Sequence, residues 1–313
     1  MSELDVNAKR KGQINIVLQD QNSVETTKKP SASVGTGFKD RFKIIEETFS
    51  SFIGMDDMKD LLKEIYANVM ISQKREQAGF KTEPQMLHML FKGNPGTGKT
   101  TVARKISELF YEIKLLSKGH FIEAERADLV GEYIGHTAQK TRDLVKKALG
   151  GVLFIDEAYS LARGGEKDFG KEAIDTLVKH MEDHYQDFVL ILAGYPEEMD
   201  HFLYLNPGLK SRFPIIYHFP DYTIDELIEI AKMITRQKEY RLSKCAIQKI
   251  RIHLYQMKRE QKLSTSNGRY IRNMIEQAIR RQAFRLVAKN LFRPSDLLYL
   301  TEEDFHFTEE NRL

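Results

Sequence analysis

A chain of 313 residues has room for about two domains and for a core that needs no covalent staples. Its 48 Lys and Arg against 45 Asp and Glu leave a net charge of +3, so the charge balance demands neither nucleic acid nor a membrane surface as partner. One cysteine, Cys245, excludes an intrachain disulfide framework, and no stretch reads as a signal peptide or a bilayer-spanning run; a soluble, cytoplasmic protein is the expectation.

Residues 1–40 read as a flexible arm and linker. Gln13 to Leu18 is a short strand candidate among polar residues, and Lys28 to Gly37 has linker composition. From about Phe38 to Gln77 the pattern is helical. Ser51-Phe52-Ile53-Gly54-Met55 interrupts it, and an apolar stripe follows at Met58, Leu61, Leu62, Ile65 and Val69. Met86 to Phe91 is apolar enough for a buried strand. A glycine-rich stretch comes next, then a helix with Val102, Ile106, Leu109 and Phe110 on one face.

Further strand candidates lie at His120–Ala124, Val152–Ile155, Phe188–Ala193 and Ile215–Phe219, with helices at Thr137–Leu149 and Gly170–His184 between them. Apolar strands alternating with helices predict an α/β fold, a five-stranded parallel sheet covered by helices on both faces. Past Pro220 the helical stretches Asp225–Lys238, Lys244–Lys258 and Arg269–Lys289 have no convincing strand between them, which predicts a small all-helical domain. The expected division is an arm over 1–40, an α/β domain over 41–221 and a helical domain over 222–313.

The chemistry concentrates in two places. Gly93-Asn94-Pro95-Gly96-Thr97-Gly98-Lys99-Thr100 fits the phosphate-loop pattern G-x-x-x-x-G-K-S/T, in the strand-to-helix context that the pattern needs. Glycines let backbone N–H groups approach a phosphate, and a helix N-terminus adds partial positive charge. Lys99 would reach the β- and γ-phosphates, the Thr100 hydroxyl would hold Mg²⁺, and Thr101 completes the binding set; a glycine-rich turn with a solvated lysine is the bland alternative. The second place is Val152-Leu153-Phe154-Ile155-Asp156-Glu157, an apolar strand that delivers two carboxylates to the end of a parallel sheet where ligands bind. Asp156 would share the Mg²⁺ with Thr100, and Glu157 would polarise the attacking water.

With these two motifs the chain resembles an AAA+ ATPase, in particular the branch that includes stage V sporulation protein K, with the red-type Rubisco activases as relatives. The resemblance runs from Phe52 to about Glu276 and is especially close at Leu129 to Thr137 and at Phe154 to Leu161. It implies a P-loop AAA+ module followed by a lid domain, ATP and Mg²⁺ as cofactors, and ATP hydrolysis by a ring, a hexamer, that remodels an unidentified client protein, with a role in spore formation. Ile53 and Gly54 sit where the family packs against adenine. Asn206 to Phe213 is similar to the segment carrying an arginine finger, so Arg212 would reach a neighbouring subunit's γ-phosphate; a surface salt bridge is its other reading. Ser266 to Asn273 is similar to the sensor-2 segment, with Arg269 on the nucleotide and Arg272 as runner-up. Many relatives end the fourth strand with Asn or Thr, whereas this chain has Ala193-Gly194-Tyr195, and the sensor-1 role stays unassigned.

Gly131-Glu132-Tyr133-Ile134-Gly135 resembles the first pore loop of protein remodellers, with Tyr133 and Ile134 as the gripping pair; a tyrosine folded back on the core is the alternative. The rival function on the same fold is a nucleic-acid motor or clamp-loader-type switch. Such a loop would want basic residues, and Glu132 has the wrong sign. Two other features are weaker. His180 and His184 have a zinc-compatible spacing but lack the H-E-x-x-H arrangement and an evident third ligand. Lys258, Arg259 and Lys262 read as a solvated helix face.

Overall fold

The computed structural model describes residues 42–83, 85–133, 135–163, 168–260 and 267–307. The arm over 1–40 with its strand candidate lies outside the described residues, as do Ile134, Lys262 and Ser266.

Helices α1 (Lys43–Thr48) and α2 (Asp56–Gln77) come first, separated by the turn through Gly54. Strand β1 (Met89–Gly93) leads through the glycine loop into α3 (Lys99–Glu112). Then come β2 (Phe121–Ala124), the short α4 (Arg126–Leu129), α5 (His136–Ala148), β3 (Val152–Ile155), a 3₁₀ turn (Ala158–Ala162), α6 (Gly170–Asp183) and β4 (Val189–Gly194). The short helices α7 (Pro196–Leu205) and α8 (Pro207–Lys210) lead to β5 (Ile215–Phe219). The five strands form one parallel sheet in the order β2-β3-β4-β1-β5, the α/β architecture expected from the alternating pattern.

Period-two alternation along the central strands divides the core in two. Leu90, Leu153, Ile155, Leu190 and Leu192 face one cluster, closed by residues of α5, α6 and α7 such as Val145, Leu177 and Phe202. Met89, Phe91, Val152, Phe154, Val189 and Ile191 face the other, closed by α1, α2 and α3 through Ile45, Met58, Ile106 and Phe110. Because β3 and β4 are buried at every position, they read as unbroken apolar runs. Strand β1 begins at Met89, later than Met86, because His88 replaces a ladder carbonyl. Its imidazole Nδ1 accepts from the Leu190 N–H at 3.0 Å.

Beyond β5 lie α9 (Ile224–Gln237), α10 (Lys244–Arg259), α11 (Asn267–Lys289) and α12 (Pro294–Leu298). Thr223 and Ser243 cap α9 and α10 by accepting from the N–H of Glu226 and Ala246. Leu227, Ile250, Ile271 and Ile275 form a third core, against which Ile53 and Tyr222 pack. Two-residue strands β6 (Arg241–Leu242) and β7 (Tyr299–Leu300) pair in parallel, a small addition to an otherwise helical unit. Strands that short carry no period for a sequence pattern to reveal.

His88 is fully buried against Phe188 and Phe213, and burial pulls its pKa down to about 4 from 6.5. The folded protein therefore resists a protonation that the unfolded chain accepts. The stability from this site is complete above about pH 6.5 and is lost as pH falls toward 4. The gap corresponds to roughly 3 kcal/mol. Urea unfolding across that range should give a shallower pH dependence for His88→Gln than for the wild type; parallel curves would contradict this account.

Candidate functional site

The glycine loop leaves β1 at the carboxyl edge of the sheet and closes at the first turn of α3. Gly98 caps that helix at φ +97°, a conformation that costs an L side chain about 1–2 kcal/mol. At Gly93 a Cβ would come within 2.7 Å of the Phe219 Cβ on the neighbouring strand. Thr97 closes the loop by donating its hydroxyl to the Asn94 carbonyl at 2.8 Å.

Lys99 is only 8% exposed. Its ammonium donates to the carbonyls of Gly93 at 2.7 Å and Asn94 at 2.9 Å, which leaves one of three hydrogens for a ligand. Burial lowers its pKa, the charge of Asp156 opposes that, Arg269 adds to it and Glu157 opposes it. Lys99, Asp156, Glu157 and Arg269 are thus gathered around one space, from three separate parts of the chain. Arg272 is exposed and is not among the charges that act on Lys99.

Asp156 and Glu157 follow β3 directly. The Asp156 Oδ1 accepts from the Glu157 N–H at 2.9 Å, and Glu157 itself lies at φ +46°, ψ 43°. A left-handed conformation at a residue other than glycine is held only by its surroundings, and such positions cluster at functional sites. It turns an exposed carboxylate out of the sheet edge. Tyr159 stands beside it, buried, its pKa pushed up to about 12 by burial and by the Glu157 charge, so it remains a hydroxyl donor at neutral pH. The Tyr159 ring lies 5.7 Å from that of Tyr195, and the Tyr195 ring centroid is 6.0 Å from the Lys99 Nζ. The sheet edge that lacks the Asn or Thr of many relatives thus carries an aromatic wall. Tyr195 stands out in the sequence at the end of the fourth strand; Tyr159 lies within the family-like stretch Phe154 to Leu161, but no role attaches to it there.

Thr100 is partly buried and Thr101 exposed on the first turn of α3. A hydroxyl and a carboxylate, Thr100 and Asp156, are the oxygen donors that suit Mg²⁺, and the buried Lys99 beside them suits a polyphosphate. Ile53 packs against the lid core and Gly54 precedes α2, so both lie where the sheet domain meets the lid. Three further residues, absent from the sequence-based set, join the loop to the lid: Asp221, Tyr222 and Asn267.

Two expected residues lie apart from this cluster within the chain. Arg212, just after α8, donates through Nε to the Glu182 carboxylate of α6 at 3.0 Å, and its other amino groups meet Glu182 and the Gly208 carbonyl. Tyr133 is 65% exposed, with its ring edge against His136 and not folded into the core. His180 and His184 stack at 5.6 Å, and among the described residues no three His, Cys, Asp or Glu are grouped to hold a metal. No helix of the described residues is long and apolar enough to cross a membrane.

A parallel sheet with this strand order, a phosphate loop after β1, paired carboxylates after β3 and a helical lid define an ATPase of the AAA class. The family model described as "ATPase family associated with various cellular activities (AAA)" matches residues 89–221, and the AAA lid domain model matches 223–313. The chain is 56% identical to stage V sporulation protein K of Bacillus subtilis (strain 168), over 99% of this chain and 98% of that protein. It is 43% identical to protein CbbX of Cereibacter sphaeroides, over 80% of each. To the chloroplastic ribulose bisphosphate carboxylase/oxygenase activase of Cyanidioschyzon merolae it is 41% identical, over 90% of this chain and 97% of that one. The chain belongs to the AAA ATPase family, on the branch shared by these relatives, and it is an ATP-hydrolysing enzyme.

Lys99→Ala removes a charge-assisted donor from the phosphates. It should weaken ATP binding by about 10- to 100-fold in calorimetric titration, the equivalent of about 1.5–3 kcal/mol. Unchanged affinity would remove the loop from nucleotide binding.

Proposed function

We propose that the protein is a ring-forming ATPase that remodels a protein client by threading it through a central channel, and that it serves spore formation. The observation that carries the threading reading is Tyr133, a large aromatic ring 65% exposed on a loop that follows β2 and α4. A buried tyrosine would need no further explanation, but an exposed one flanked by glycines has the build of a peptide grip. The spore-formation role rests on the likeness to stage V sporulation protein K.

In this reading Lys99 and the loop amides bind the phosphates of ATP, and Thr100 and Asp156 hold Mg²⁺. When bound, the Mg²⁺ supplies charge neutralisation on the β- and γ-phosphates. Glu157 orients the water and takes up its proton, an assignment supported by its left-handed backbone and its exposed carboxylate. Arg269 approaches from the lid, and Ile53 and Gly54 flank the adenine. Arg212 completes the site of the next subunit in a homohexamer, where its guanidinium neutralises phosphoryl charge. Within one chain its partner is Glu182, so acting in trans means leaving that ion pair.

Arg212→Ala should keep ATP binding and lose about 10³- to 10⁵-fold in turnover. Mixing it with Lys99→Ala subunits should restore part of the activity, since each supplies what the other lacks at shared interfaces. Mixed rings with no recovery would contradict action in trans.

Tyr133→Ala should leave nucleotide affinity and ring size by light scattering unchanged, yet fail to replace the wild-type gene in a sporulation assay of a deletion strain. Full replacement would overturn threading.

A further inference from the structure

The outer side of the phosphate loop is held by the lid. The Pro95 carbonyl accepts from the Asn267 Nδ2 at 3.4 Å, the Gly96 carbonyl from the Gly268 N–H at 3.1 Å, and the Thr97 carbonyl from the Tyr222 hydroxyl at 3.1 Å. The Asn94 side chain donates to both carboxylate oxygens of Asp221, at 2.9 and 3.0 Å. Asp221 also accepts from Asn267 at 2.8 Å, and the Asn267 Oδ1 accepts from the Tyr222 N–H at 3.1 Å. Four consecutive loop residues are therefore tied to one small group: Asp221, Tyr222, Asn267 and Gly268. Asn267 is fully buried and adopts φ +38°, a conformation that asparagine tolerates better than most residues.

In a trans peptide the C=O and the next N–H point in opposite directions. No peptide of the described residues is cis. Drawing the carbonyls of residues 95, 96 and 97 toward the lid therefore turns the N–H groups of Gly96, Thr97 and Gly98 the other way, toward the space beside Lys99. Among the described residues none of these three N–H groups donates to a protein acceptor. A loop with convergent free amides binds anions, and its affinity depends on how firmly it is preorganised.

We infer that Asn267, braced by Asp221 and Tyr222, is a positioning residue that aims the phosphate-loop amides at the nucleotide's terminal phosphates. It acts from the lid and touches no phosphate itself. Because coupling between sites is reciprocal, phosphate held by the loop also fastens the lid, and with it Arg269 two residues further on. This rests on nucleotide binding at the loop and goes beyond it by assigning the lid a share of phosphate affinity.

The test uses the full chain and compares ADP with AMP, which lacks the β-phosphate. Asn267→Gly keeps the backbone conformation and removes the side chain. It should lose about tenfold in ADP affinity, as expected for one or two lost hydrogen bonds, with AMP affinity changed less than about twofold. Asp221→Ala, which leaves the α11 backbone alone, should show the same selective loss and serves if Asn267→Gly does not fold. Unchanged ADP affinity in a folded variant would overturn the inference, and so would equal losses for ADP and AMP, which mark general damage to the lid. Lys99→Ala measured alongside separates the two levels. Full ADP affinity there would remove nucleotide binding at the loop and this inference together, whereas loss there with wild-type Asn267→Gly would remove only the inference.

Discussion

Lys99 carries its positive charge at a position almost closed to water, and an ammonium survives there only because the fold surrounds it with compensating groups. Two loop carbonyls accept from it, and the charges of Asp156 and Glu157 act on it from the end of the third strand. Neither set is in place unless β1 and β3 end at the same edge of one sheet. The parallel arrangement and its strand order are therefore a precondition of the site as well as its support. The two apolar cores on either face of the sheet hold that edge steady.

The space around Lys99 is built for charge to arrive from outside. Among the described residues the ammonium has one donor unused and three loop amides lack protein acceptors, and Glu157 is held in a left-handed conformation with an exposed side chain. The Tyr159 and Tyr195 rings lie side by side near Lys99, and burial raises the pKa of both hydroxyls.

The lid joins this site by hydrogen bonds and not only by apolar packing. Asn267 and Asp221 lie 46 residues apart in the chain yet meet at 2.8 Å beside the loop. Hydrogen bonds of that kind are directional, so they tie the loop to the lid in a defined orientation, which apolar contact alone does not. Arg212 belongs to a different logic. Its ion pair with Glu182 and its bond to the Gly208 carbonyl hold it among residues of α6 and α8.

Much was legible in the sequence. Val152–Ile155 and Ile215–Phe219 match their strands end to end, the first as an apolar run buried on both faces and the second as an edge strand whose residues alternate in burial. The loop from Gly93 to Thr100 and the pair Asp156 and Glu157 were legible for another reason. Each is contiguous, and the backbone or strand geometry it requires is written into neighbouring residues. The boundary shift at His88, the strand pair β6 and β7, the meeting of the Tyr159 and Tyr195 rings, and the tie from Asn94 through Asp221 to Asn267 were not legible. Each depends on which distant groups fold into contact, and a donor and acceptor far apart in sequence leave no local pattern. The sheet, the lid helices and the chemical types at the site are readable from the residues in order, since they follow from periodicity and short-range backbone demands. That Arg269 acts on Lys99, that Arg212 is paired with Glu182, and that lid residues bond to the phosphate loop became visible in the fold alone, because those are choices among partners that the chain brings together when folded.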